Sequence, residues 1–127
     1  MRILLDTHTI LWWLDRPDKL GRTGYGLIAD PGNELLVSPV VPLEIALKAN
    51  KHKTVLHPLV TGFHAVMLQQ RFTAIPILPL EAIRSGLLPF HHRDPFDRLL
   101  AAQSLELGVP MIGVDAIFDQ YGVQRIW

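Results

Sequence analysis

Five short apolar runs are spread along the chain: Arg2 to Leu5, Leu35 to Val37, Ile75 to Leu78, Pro110 to Val114 and Val123 to Trp127. Segments with apolar residues at helical spacing fall between them. Helices are expected at Thr7 to Leu14, 23 to 29, Pro42 to Lys48, Leu59 to Arg71, Glu81 to Leu87 and from Pro95 to Gly108, with one helical turn near Ile117 to Tyr121. This alternation predicts an α/β chain. Four or five short strands would form a parallel sheet with helices on both faces, a three-layer sandwich. Pro76 pushes the third run towards an edge position. A polar, basic loop is expected at Asn50, Lys51, His52 and Lys53.

That architecture places residues as well as elements. In a parallel sheet the end of a strand and the start of the next helix share one edge, where ligands bind. Asp6 and Asp115 each directly follow a strand. Glu44 lies early in a helix that follows a strand. Asp97 lies in the first turn of the helix that opens at Asp94-Pro95, where Asp94 suits the N-cap and Pro95 the first helical position. All four acids are expected on the same edge. Two carboxylates about 4 Å apart repel by roughly 4 kcal/mol at an effective dielectric of 20. Converging acids therefore call for a cation, and all-oxygen donors suit Mg²⁺ or Mn²⁺. Such an ion would support phosphodiester cleavage. The alternative is that each acid caps a helix or turn.

Bulk properties narrow the field. A chain of 127 residues without repeats or a linker predicts one domain, 1–127. Twelve basic and twelve acidic residues cancel, so any nucleic-acid contact must come from a local patch. Arg93, Arg98 and Lys48, with Lys51 and Lys53, could hold a phosphate backbone near the acidic edge. There is no cysteine, which excludes disulfides and thiolate metal sites. Asp6, His8 and Asp15 interrupt the apolar start, which does not read as a signal peptide. No run approaches the roughly 20 residues of a membrane span, so a cytoplasmic protein is the default. Adjacent histidines chelate one ion poorly, so His91 and His92 read as solvated loop residues, with contact to RNA phosphate as the alternative. Trp12 and Trp13 cannot both face one core from neighbouring helical positions, so one is expected on a partner surface.

Several stretches resemble a known family. Leu4-Leu5-Asp6-Thr7-His8-Thr9-Ile10-Leu11-Trp12 resembles the opening of PIN-domain ribonucleases. His92-Arg93-Asp94-Pro95-Phe96-Asp97-Arg98, followed by Leu99-Leu100-Ala101-Ala102-Gln103, looks like the third acidic motif of a VapC-type subgroup. Val37-Ser38 with Glu44-Ile45-Ala46-Leu47-Lys48 matches the second motif, and Val114-Asp115-Ala116-Ile117-Phe118 the fourth. The resemblance runs through the whole chain in order. It implies a PIN-like fold and an endoribonuclease that uses Mg²⁺ or Mn²⁺. Asp6, Glu44, Asp97 and Asp115 match the acidic quartet and are the implied catalytic and metal-binding residues. It also implies a homodimeric toxin of a toxin–antitoxin pair, bound by a small cognate antitoxin and acting on RNA.

Two positions depart from the pattern. Gly113 stands where the family usually has Thr or Ser, which removes a hydroxyl near the last acid. Leu43 stands where Trp is common before the helical Glu, a change expected only to repack the core. A non-catalytic PIN-fold protein-interaction module is the competing reading. A haloacid-dehalogenase-type phosphatase is disfavoured, because its second Asp is replaced here by His8.

Overall fold

The structure is a computed structural model that describes residues 1–52 and 57–127. Five strands pair in parallel in the order β3-β2-β1-β4-β5. They are β1 Arg2–Leu5, β2 Glu34–Val37, β3 Thr73–Ala74, β4 Met111–Ile112 and β5 Arg125–Ile126. The helices are α1 Thr7–Asp15, α2 Arg22–Ala29, α3 Val40–His52, α4 His57–Gln69, α5 Pro79–Leu87 and α6 Pro95–Leu107. Two 3₁₀ turns, Pro17–Lys19 and Ala116–Tyr121, complete the described elements.

The central strand shows why the sheet is covered on both sides. Ile3, Leu4 and Leu5 are all fully buried. Successive side chains of a strand point to opposite faces. Ile3 and Leu5 accordingly join one cluster with Leu35, Val37 and Ile112, against Ile10, Ile28, Val41 and Ile45 from α1, α2 and α3. Leu4 joins the other with Leu36 and Met111, against Leu100 and Ala101 of α6 and Phe118 of the second 3₁₀ turn. The three-layer α/β sandwich expected from the alternation is the fold observed.

The differences from expectation are local. β3 forms at Thr73–Ala74, ahead of the apolar run. The Ile75 N–H still donates to Val37 O (3.1 Å), but Pro76 has no N–H to extend the ladder. Ile77 and Leu78 are consequently exposed. α3 begins at Val40 rather than Pro42, because Ser38 Oγ accepts from the Val40 N–H (3.2 Å). It continues to His52, so Asn50 and Lys51 are helical rather than loop residues; Lys53 lies outside the described residues. Both tryptophans of α1 are half-buried, pack against the same core cluster and find partners within the chain. Trp12 packs edge-on against Trp127, their ring centroids 5.6 Å apart. Trp13 Nε1 donates to Gln70 Oε1 (2.9 Å), and its ring lies 5.4 Å from Tyr25. Leu43 is 48 % exposed, so that departure from the motif falls on the surface rather than in the core.

Candidate active site

Asp6 leaves β1 and caps α1. Its Oδ1 accepts from the Thr9 N–H (2.7 Å), and its own N–H donates to Ile112 O (3.2 Å) on β4. The carboxylate is held between two strands and is buried. Opposite it lies Gly113. A Cβ built on Gly113 would sit 2.8 Å from Asp6 Oδ2, so the carboxylate occupies the space that a side chain at 113 would need. A Thr or Ser there would force Asp6 to turn away from its present position.

Glu44 projects from the second turn of α3. Thr7 Oγ1 donates to Glu44 Oε1 (2.7 Å), which ties α3 to the first residue of α1. Asp97 lies in the first turn of α6, and His92 Nε2 lies 2.7 Å from its Oδ2. Asp94 is the N-cap of that helix, accepting from the Phe96 N–H (2.8 Å) and more weakly from the Asp97 N–H (3.4 Å). Asp115 caps the second 3₁₀ turn through the Ile117 N–H (3.0 Å) and is exposed.

Charge links these groups. Burial, above all, raises the pKa of Asp6, against hydrogen bonds from Thr9 that lower it; the charge of Asp97 adds to the rise. Glu44 is raised by burial, with Thr7 opposing and Asp97 and Asp94 adding. Asp97 is raised by burial, with His92 opposing and Asp94 and Asp115 adding. Asp97 is thus the hub, because its charge couples to each other member of the expected quartet. The quartet does not close on itself. Among the described residues, the group of three possible ligands with donor atoms all within 4.8 Å of one another is His92, Asp94 and Asp97.

The donor set passes a chemical test for a hard divalent cation. Three partly or wholly desolvated carboxylates, each raised and each feeling another's charge, are poorly stable as anions alone. A cation among them would relieve both the desolvation and the repulsion. The sign of the pH effect follows. A carboxyl whose folded pKa is raised binds more protons folded than unfolded, so its contribution to stability falls as pH rises above the ordinary carboxylate range. In EDTA, Asp6→Asn, which keeps an oxygen for the Thr9 N–H, should therefore melt above wild type at about pH 7 and level with it near pH 3.5. Thermal melts of both proteins across this range check it. A mutant that melts below wild type at pH 7 would mean that the Asp6 charge is stabilising.

A family model described as the PIN domain matches residues 3–124. The chain belongs to the PIN-domain family. It is 28 % identical over 115 residues to Ribonuclease VapC22 of Mycobacterium tuberculosis (strain ATCC 25618 / H37Rv), covering 89 % of this chain and 86 % of that protein. Its fold is similar to VapBC2 from Rickettsia felis, solved bound to a DNA fragment from their promoter, with a TM-score of 0.75 at 14 % identity over 99 % of this chain and 98 % of that one. It is also similar to FitAcB from Neisseria gonorrhoeae, with a TM-score of 0.70 at 16 % identity over 98 % of this chain and 96 % of that one.

One expectation for this PIN domain is corrected. Arg98, proposed from sequence as an RNA contact, is 5 % exposed. Its Nη2 donates to Ser85 O (2.8 Å) and Leu88 O (2.7 Å), and its Nη1 to Pro89 O (2.9 Å) and His92 O (3.3 Å). The guanidinium also lies 4.5 Å from the Phe90 ring centroid. These carbonyls belong to the end of α5 and the loop after it, so Arg98 caps a helix C-terminus and has no face left for phosphate. Arg93 is exposed and Lys48 half-buried, and neither makes an ion pair within 4 Å among the described residues. Thr7 is a site residue that the sequence does not single out, and His92, expected as a solvated loop residue, is instead half-buried with its ring against Asp97. Thr7 directly follows Asp6, and His92 lies two residues before the α6 cap; the motif itself was the only signal for either.

Proposed function

We propose that this PIN domain, acting as one domain over residues 1–127, is a metal-dependent endoribonuclease and the toxin of a toxin–antitoxin pair. The observation that carries this reading is the coupling of three desolvated acids, Asp6, Glu44 and Asp97, on one edge of the sheet. The 28 % identical relative is named as a ribonuclease, which supports RNA as the substrate. The VapBC and FitAcB likenesses support a two-component setting, in which a small antitoxin binds the domain; a homodimeric toxin is part of the same proposal and rests on the family resemblance alone. No helix among the described residues is long and apolar enough to cross a membrane; we place the protein in the cytoplasm.

Asp6, Glu44 and Asp97, with Asp115 at the exposed rim, would hold Mg²⁺ or Mn²⁺. When bound, the ion supplies charge stabilisation at the scissile phosphate and a more acidic water. The chain's own residues prepare that site. Thr9 fixes one oxygen of Asp6, and Gly113 leaves room for the other. Thr7 holds one oxygen of Glu44, and no hydrogen bond to the second is formed among the described residues. Asp94 holds the start of α6, which places Asp97. Arg93 and Lys48, with Lys51 further along α3, would meet the RNA backbone.

The test is cleavage of single-stranded or looped RNA by the purified protein with Mg²⁺ or Mn²⁺. Cleavage should require the metal and stop in excess EDTA. Persistence in EDTA, with contaminating nuclease excluded, would overturn the metal-dependent reading.

A further inference from the structure

Asp97 is not held by its helix alone. Its Oδ2 is 2.7 Å from His92 Nε2, and no other hydrogen bond to its carboxylate is formed among the described residues. An ionised carboxylate only accepts, so the imidazole tautomer that faces it carries its proton on Nε2. The backbone that carries the ring is anchored as well. The His92 N–H donates to Tyr121 Oη (2.8 Å), and the Tyr121 hydroxyl lies 3.5 Å from His92 O. Arg98 Nη1 donates to the same carbonyl at 3.3 Å. Tyr121 is itself buried and packs in the core cluster beside Phe118. His92 is therefore fixed on both sides of its backbone by two buried side chains, and its ring is aimed at one oxygen of Asp97.

We infer that His92 is a positioning residue: it fixes the rotamer of Asp97 and leaves Oδ1 for the metal. This rests on the reading of Asp97 as a metal ligand given above. The chemistry is that of an outer-shell partner. A ligating group held by a hydrogen bond to its far side loses little freedom on binding the ion, and removing such a partner weakens metal binding by about 10–100-fold. Burial that disfavours the Asp97 anion makes the support more consequential, because the carboxylate has no other donor among the described residues. Glu44 is held in the same manner by the hydroxyl of Thr7, so two acids of the edge each have one oxygen occupied by a neighbour.

The experiment is Mn²⁺ titration by calorimetry of the full chain, as wild type, His92→Ala, His92→Gln and Asp97→Asn, with RNA cleavage followed as a function of Mn²⁺ concentration. Circular dichroism melts confirm that each variant is folded. His92→Ala should bind Mn²⁺ about 10–100-fold more weakly. Its cleavage rate should return to near the wild-type level at saturating Mn²⁺, because the ligand itself is intact. His92→Gln, whose amide N–H can donate to Oδ2, should recover much of the loss. Wild-type Mn²⁺ affinity in a folded His92→Ala, with Asp97→Asn still impaired, would overturn the positioning role and leave the metal site standing. Wild-type affinity in Asp97→Asn would overturn the metal-ligand reading itself. Cleavage lost in His92→Ala and not restored at saturating Mn²⁺ would make His92 a group acting on the RNA, and would also overturn the inference. A loss confined to Co²⁺ and Ni²⁺, with Mn²⁺ and Mg²⁺ unchanged, would make it a direct nitrogen ligand instead.

Discussion

Asp97→Asn should abolish metal-dependent cleavage while leaving the protein folded. The expected loss is about 10²–10⁴-fold, because a metal-held charge at a phosphodiester contributes several kcal/mol and each 1.36 kcal/mol is tenfold in rate. The fold should tolerate the change well. Asp94, not Asp97, carries the α6 cap, and its bonds to the Phe96 and Asp97 N–H groups are unaffected. Losing a negative charge in the first turn costs about 0.3–1 kcal/mol through the helix dipole, and relief of desolvation offsets part of this. Asp94→Asn is the control. Asn caps as well as Asp, so this variant should keep its stability and most of its activity, whereas Asp94→Ala should lose about 0.5–2 kcal/mol. Initial cleavage rates and thermal melts on all three separate the roles. An Asp94→Asn protein as inactive as Asp97→Asn would make Asp94 a ligand and its cap secondary.

The second large effect is on stability. Arg98→Met should cost about 3–5 kcal/mol, because the buried guanidinium donates to several carbonyls and hydrogen bonds to a charged group are worth about 1.5–3 kcal/mol each. Here the abandoned groups are the carbonyls of Ser85, Leu88, Pro89 and His92. These residues are at most partly buried, so each carbonyl left without its donor costs at most about 1–3 kcal/mol, and less where water reaches it. Such a loss is a large share of the 5–15 kcal/mol that holds a typical domain, and should lower the melting temperature by about 10 °C or more. Arg98→Lys should fall between, since one ammonium cannot span carbonyls from both the end of α5 and the loop before α6. Denaturant unfolding of the two variants against wild type measures both. A change below about 1 kcal/mol for Arg98→Met would show that water takes over the carbonyls, and that the clasp is dispensable.

The sequence made some of these features readable and hid others, for physical reasons. Strands β1 and β2 were legible because a strand buried on both faces must be an unbroken apolar run, and Ile3-Leu4-Leu5 and Leu35-Leu36-Val37 are such runs. The cap at Asp94 was legible because Pro95 fixes the helix start. Placing the four acids on one edge needed only the order of strands and helices. β3 was misplaced because an edge strand of two residues owes its position to pairing with Leu36 and Val37, not to its own apolar content. Arg98 was taken for a surface cation because a charged residue is rarely buried. The contrary signal was its spacing: Ala101 and Ala102, three and four residues on, are fully buried, and they place Arg98 on the inward face of α6. The roles of His92 and Thr7 depend on side-chain geometry across separate elements, which no local pattern encodes.

The rung that joins Leu5 to Ile112 has a consequence for when this protein can become active. Asp6 is made more than a hundred residues before its neighbour Gly113. Until β4 slots beside β1, Asp6 lacks the Ile112 carbonyl that anchors its backbone, and Asp115 has yet to be made. A growing chain that ends before residue 111 thus has no complete acidic edge, however well its first two strands have paired.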